Sequence, residues 1–157
     1  MKPNISALND AERAWIKDQL QSAAKFVEAF SFCDAAQPFT LAALDRAFAA
    51  WIASEPNDRN LVNAVVNYTG AVFGHLLIEC LGFEWVIATD EKGSDLAVYG
   101  CPGSGDILVF PANFIAKRWE KREINFIEKS YIQIASDVQK ICQQHGGQRH
   151  HERPITS

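Results

Sequence analysis

The stretch that decides the fold is Gly82-Phe-Glu-Trp-Val-Ile-Ala-Thr-Asp90, followed by Glu91-Lys-Gly93, in the middle of a 157-residue chain. Bulky apolar side chains occur at every second position from Phe83 to Ile87, and this period of two predicts a β-strand that ends near Asp90. The segment after it is typical of a hairpin loop with Gly93 at a positive φ angle. We therefore expect the chain to turn back here and begin an antiparallel sheet.

Two more strands are predicted downstream of this hairpin. Leu96–Tyr99 and Ile107–Phe110 are short apolar runs separated by a glycine-rich loop, residues 100–105. Pro111 ends the last strand and suits the first turn of a new helix. That helix carries the apolar residues Phe114, Ile115 and Trp119.

Helices are predicted on either side of this meander, because apolar residues recur there at spacings of three and four. Asn9 and Glu12 have the spacing of a capping box at the start of the first helix. We expect helices from Asn9 or Asp10 to about Phe30, from about Thr40 to Ser54, over residues 59–81 and over residues 124–144, the last one ended by Gly146-Gly147.

Two glycines interrupt the apolar surface of the third helix. Gly70 and Gly74 each cost about 1 kcal/mol relative to alanine inside a helix. Close approach of another backbone is the expected reason for them. Gly82 is the expected left-handed residue at the end of the same helix.

Together these elements predict a single α+β domain over residues 1–147, with a flexible tail at residues 148–157. We expect helices one to three and five to pack on one face of a small three-stranded antiparallel sheet. The third helix should lie at the centre of the domain.

The formal net charge of -4 and the pI of about 5.5 argue against a nucleic-acid partner, which needs a basic surface. Leu61–Phe83 is long enough to span a bilayer, but four polar residues interrupt it: Asn63, Asn67, His75 and Glu79. The N-terminal six residues lack the apolar segment of a signal peptide. We therefore expect a cytoplasmic protein with no membrane partner.

Four cysteines are spread widely along the chain and form no C-x-x-C pair. We interpret them as mostly small buried hydrophobes, and neither a disulfide framework nor a zinc site is expected. No cofactor is predicted.

His75 and Glu79 lie four residues apart, so one face of the third helix presents both. The pair is either an oriented general base, half of a metal site, or a polar helix edge near solvent. Because no motif supplies further ligands, we favour the polar edge and assign no metal.

Asp90, Glu91 and Asp95 are clustered at the hairpin tip, and Asp106 lies in the next loop. Exposed turns are often acidic for solvation alone, and the spacing is not that of an EF-hand. If these carboxylates have a function, electrostatic pairing with a basic protein is the best hypothesis.

Two other patterns are typical of phosphate or base contacts, but we favour structural roles for both. Gly100, Gly103 and Gly105 have neither the Rossmann nor the Walker spacing. The basic run Lys117–Arg122 contains Glu120, and basic residues are ordinary near the end of a helix. Arg118 is expected to pair internally with a carboxylate of the meander.

The run Gly74–Gly93, together with Ala97-Val98, Leu108–Pro111 and Lys117-Arg118, resembles a bacterial family known as domain of unknown function 3806 over about residues 62–135. The shared pattern is a helix ending in Leu-Gly, a tryptophan-bearing strand, an Asp-x-x-Gly turn, a strand ending in Phe-Pro, and a Lys-Arg pair. The glycine-rich loop Cys101–Gly105 departs from that pattern. The resemblance implies structural roles for these positions and no known activity.

The favoured hypothesis is a non-catalytic protein-binding domain, such as an immunity or antitoxin protein that neutralises a basic bacterial toxin through Asp90, Glu91, Asp95 and Asp106. The alternative is a small-molecule-binding or enzymatic domain with a pocket near His75, Trp85, Tyr99 and Arg118. A third hypothesis is a homodimer, instead of a monomer, that pairs through Ile107–Phe110 or through the second helix.

Overall fold

The computed structural model describes residues 4–31 and 40–152, with side chains described for residues 4–30 and 40–141. Within these ranges it confirms the α+β class. The elements are β1 Asn4–Ser6, α1 Asp10–Ser31, α2 Leu41–Ala53, α3 Arg59–Leu81, β2 Glu84–Asp90, β3 Gly93–Gly100, β4 Ile107–Val109, α4 Pro111–Glu120 and α5 Ile127–Glu152.

The sheet has four antiparallel strands in the order β1-β2-β3-β4, so the expectation of three strands is wrong. The additional strand is β1, which lies at the edge and pairs Ile5 with Ala88 of β2. It has only three exposed residues and one apolar side chain, so no periodicity marks it in the sequence. β3 is also longer than expected, because pairing begins at the hairpin turn with Asp90 opposite Gly93.

The two faces of the sheet have different neighbours. Trp85 of β2 and Val98 of β3 belong to the main core, which also contains residues of α1 to α5, and we call this side the inner face. The outer face carries a smaller apolar cluster, Val86, Ala88 and Ala97, packed against Tyr99, Leu108 and Phe110. Among the residues whose side chains are described, this second cluster contains no helical residue, and its central members Val86, Ala88 and Ala97 are buried.

The glycines of α3 allow the close approach that was expected. A Cβ atom on Gly70 would lie 2.8 Å from the Cα atom of Ala112, at the start of α4. A Cβ atom on Gly74 would overlap the indole ring of Trp85 and lie 3.0 Å from Cγ of Pro111. The notch in α3 therefore seats the first turn of α4 and the tryptophan of β2.

The predicted capping box forms at the start of α1, whereas α5 begins and ends later than expected. The Asn9 amide donates to Glu12 Oε1 at 2.7 Å, and the Glu12 amide donates to Asn9 Oδ1 at 2.8 Å, which completes the capping box. α5 begins at Ile127, three residues later than expected, and continues past Gly146-Gly147 to Glu152. Residues 153–157 lie outside the described residues, and the flexible tail stays a prediction.

Cys80 is exposed and Cys101 is half-buried, so the interpretation of the cysteines as buried hydrophobes is wrong for Cys80. Cys33 and the side chain of Cys142 lie outside the described residues. α3 is long and apolar enough to cross a membrane by length and composition, but 56% of its most apolar window is buried within the protein. This agrees with its interpretation as a core helix.

Candidate functional site

Acidic side chains lie at both ends of the apolar cluster of the outer face. Side chains alternate along a strand, so Glu84 and Asp90 of β2 share the face of Val86. On β3, Asp95 lies opposite Ala88 in the register, and Tyr99 lies opposite Glu84. The Tyr99 hydroxyl donates to Asp106 Oδ1 at 2.6 Å, which holds Asp106 at this face.

The four predicted partner-binding acids do not form one cluster. Asp90, Glu91 and Asp95 are exposed together at the β2–β3 turn. Asp106 lies at the other end of β3, beside Tyr99, and Tyr99 follows Asp95 by four positions along the strand, or about 13 Å. The acids therefore form two groups, at opposite ends of the outer face, with the apolar cluster between them.

Backbone amides hold three of these carboxylates in place. Asp90 Oδ1 accepts from the amide of Lys92 and Asp95 Oδ1 accepts from the amide of Leu96, each at 2.8 Å. Asp106 Oδ1 also accepts from the amide of Gly103 at 2.8 Å. Asp106 therefore holds the glycine-rich loop in place, so it has a structural role in addition to its negative charge.

Asp106 also changes the acidity of Tyr99. The hydrogen bond to Asp106 raises the pKa of Tyr99, and desolvation and the nearby charges of Asp106 and Glu84 act in the same direction. The phenol is consequently kept in its neutral, hydrogen-bond-donating form at the acidic end of the outer face.

A groove of about 480 Å³ lies on the other side of the sheet, between α1, α3 and the start of β2. We call it the α1–β2 groove. It is lined by Ala7, Leu8, Arg13, Ile16, Lys17, Leu20, His75, Glu84 and Trp85. Two of the four predicted pocket residues, His75 and Trp85, are thus brought together.

The other two predicted pocket residues lie elsewhere, and that part of the expectation is wrong. Tyr99 points to the outer face, because it pairs with Glu84 and not with Trp85. The Arg118 guanidinium on α4 packs over the Phe114 ring, 4.0 Å from its centroid, and does not line the groove. Arg118 approaches Glu123 at 4.0 Å rather than a carboxylate of the meander, so its predicted internal partner was also wrong.

His75 and Glu79 form the side-chain pair that their spacing indicates. His75 Nε2 lies 3.1 Å from Glu79 Oε1, at the margin of the α1–β2 groove. The Glu79 side chain is 62% exposed, in keeping with a polar helix edge. Within the described part of the chain, no three His, Cys, Asp or Glu side chains are grouped closely enough to hold a metal ion.

The two arginines of the basic run, Arg118 on α4 and Arg122 just after it, pack over aromatic rings. The Arg122 guanidinium lies 3.7 Å from the centroid of the Trp119 ring, and Trp51 contacts that ring at a centroid distance of 4.8 Å. Arg122 and Trp51 thus both contact the Trp119 indole ring, which a nucleic-acid base would need for stacking. The contacts support the structural interpretation of this segment.

Comparison with known families identifies the chain. The family model described as domain of unknown function (DUF3806) matches residues 43–131, which is more than half of the chain. The protein therefore belongs to the DUF3806 family, as the resemblance indicated. The match begins within α2, earlier in the chain than the segment on which the resemblance is based. No curated protein and no solved structure gives a significant match to the chain.

Proposed function

We propose that this protein is a non-catalytic protein-binding domain whose outer sheet face docks on a basic partner. The observation that supports the proposal is an apolar sheet face with acids at both ends: Asp90 and Asp95 lie at the turn, and Glu84 and Asp106 lie beside Tyr99 at the other end. Tyr99, Leu108 and Phe110 are the half-buried members of its apolar cluster. An apolar centre with a polar rim is the usual anatomy of a protein interface.

The charges at the rim favour a basic partner. Asp90, Glu91 and Asp95 are exposed at one end of the outer face, and Lys92 is the single basic residue within that turn. Complementary charge across an interface speeds association and selects the partner. Half-buried Tyr99 and Phe110 would supply the aromatic contacts that often dominate binding free energy.

An immunity or antitoxin protein is the particular class that we propose. Such proteins neutralise a bacterial toxin by binding it, so they need a complementary surface and no catalytic group. A cytoplasmic location is part of this proposal. The toxin would be the product of a neighbouring gene.

The test is calorimetric titration of the protein with the product of the neighbouring gene, together with growth of cells that express both. We expect binding that rescues growth and weakens as salt rises. The double variant Asp90→Asn, Asp95→Asn should bind at least about tenfold more weakly and with less salt dependence. Asp137→Asn, an exposed acid on α5, is the matched control and should bind normally. Absence of both association and rescue would contradict the proposal.

A second candidate function is small-molecule binding in the α1–β2 groove. It is favoured by the convergence of His75 and Trp85 in a cavity whose volume, about 480 Å³, lies in the range of ligand pockets. Homodimer formation also stays a hypothesis: β4 is the last strand in the sheet order, so its outer edge has no strand partner among the described residues.

A further inference from the structure

We propose that the α1–β2 groove binds an apolar molecule that carries a single carboxylate group. The inference deepens the second candidate function, small-molecule binding in this groove. It is independent of the protein-binding proposal, which concerns the opposite face of the sheet.

α1 contributes one wall of the groove, and this wall carries both apolar and positively charged residues, as such a ligand requires. Arg13, Ile16, Lys17 and Leu20 follow one another at spacings of three, one and three, so they form one stripe along the helix. Ile16 is 6% exposed and Leu20 is half-buried, whereas Arg13 and Lys17 are exposed. The apolar residues thus form the depth of the groove, and the cations stand at its rim.

The floor opposite this stripe is apolar as well. Leu8 is 8% exposed, and Trp85 lies half-buried with its indole against Gly74 of α3. A hydrocarbon or aryl body placed here would remove further apolar surface from water, at about 25 cal/mol per Å². Tight contact between the indole and the α3 notch fixes the ring, so the floor is preformed.

The charges around the groove favour an anion. Glu84 is the acidic residue among those that line it, but its side chain lies on the outer face, opposite Tyr99. The influence of the Glu84 charge on the pKa of Tyr99 agrees with that placement. The rim therefore carries the positive charges of Arg13 and Lys17, with His75 beside them.

Two neighbouring acids do not cancel these charges. Asp10 Oδ1 lies 3.3 Å from Arg13 Nη1, but both side chains are strongly exposed, at 104% and 61%. Exposed pairs of this kind contribute little, so a bound carboxylate can replace Asp10 on the guanidinium. Glu79 pairs with His75, its neighbour on the same helix.

A ligand with one carboxylate fits this arrangement better than a polyphosphate. The guanidinium of Arg13 can donate two parallel hydrogen bonds to one carboxylate, and Lys17 adds a point charge. Several phosphate charges would need more donors than two cations at an apolar groove provide.

The probes for the test are octanoate, 1-octanol and octylamine, which share a hydrocarbon chain and differ in charge. Each is titrated into the full-length protein while NMR follows the Trp85 indole N–H signal, assigned with Trp85→Phe. We expect octanoate to bind at least about tenfold more tightly than 1-octanol, the factor that corresponds to about 1.4 kcal/mol. Octylamine should bind most weakly.

The double variant Arg13→Gln, Lys17→Gln separates charge recognition from simple partitioning. It should bind octanoate no more tightly than 1-octanol, while its affinity for 1-octanol stays at the wild-type value. Lys25→Gln, another exposed lysine on α1, is the matched control and should leave octanoate binding unchanged. Equal binding of octanoate and 1-octanol, or preference for octylamine, would show that the groove does not select a carboxylate, although it binds a small molecule. Absence of any response at Trp85 would overturn both.

Discussion

The carboxylate of Asp45, on α2, accepts hydrogen bonds from the backbone amides of Ile127 and Glu128, at 2.8 and 2.9 Å. The first amides of a helix have no partner within that helix. Asp45 satisfies two of them at the start of α5, although it precedes Ile127 by 82 positions in sequence. The contact fixes where α5 begins and ties α5 to α2.

Asp45→Ala should lower the free energy of unfolding by about 1 kcal/mol, the usual cost of removing a helix cap. Urea denaturation followed by circular dichroism measures this change. Asp18→Ala, an exposed acid on α1, is the control and should change stability by less than about 0.5 kcal/mol. Equal stability of the two variants would show that the cap contributes nothing.

Gly70→Ala should destabilise the protein although alanine favours a helix by about 1 kcal/mol. Its Cβ atom would lie 2.8 Å from the backbone of Ala112, and backbone cannot move aside cheaply. Overpacking of this kind costs about 1–3 kcal/mol. Asn63→Ala, at an exposed position of the same helix, should be neutral or stabilising in the same urea experiment. A gain in stability from Gly70→Ala would contradict the packing of α4 on α3.

Ionisation of Tyr68 should lower the stability of the protein at high pH. Burial raises the pKa of Tyr68 from 10.0 to about 12, so the folded protein holds the phenol proton more tightly than the unfolded chain does. Its contribution is fully present below pH 10 and is lost as pH rises from about 10 to about 12. The difference in stability between wild type and Tyr68→Phe should therefore depend on pH in this window and be constant below it. A constant difference throughout would show that Tyr68 does not titrate abnormally.

Asp106→Asn should lower the pKa of Tyr99 towards its ordinary value, because the hydrogen bond to Asp106 is the largest cause of the increase and its charge adds to it. An NMR titration of the tyrosine ring signals, with Tyr99→Phe for assignment, measures this. Glu91→Gln, at the other end of the outer face, should leave the pKa of Tyr99 unchanged. An unchanged pKa in Asp106→Asn would contradict the contact.

Local patterns in the sequence were enough to predict the hairpin, the capping box and the notch in α3. Each depends on residues close together in the chain, such as Asn9 with Glu12 or the alternation around Trp85. The notch could be predicted, but its occupant, the Pro111–Ala112 turn, could not, because it approaches from more than thirty positions away.

Three of the failures have a common physical cause, because each depends on contacts between segments that are distant in the sequence. β1 is held by backbone pairing with β2, for which the side chains of Asn4–Ser6 give no signal. The register that places Tyr99 opposite Glu84 separates it from Trp85, and no local pattern specifies that register. The start of α5 depends in the same way on Asp45.

The most direct test of the central claim is the affinity of Leu108→Arg for the product of the neighbouring gene, measured by calorimetry. Leu108 is half-buried on the outer face, so a guanidinium there would repel a basic partner without opening the main core. The matched control is Ile132→Arg on α5, where the side chain is 59% exposed. The account predicts a loss of at least about tenfold for Leu108→Arg and none for Ile132→Arg. Wild-type affinity in Leu108→Arg, with the fold intact by circular dichroism, would contradict it.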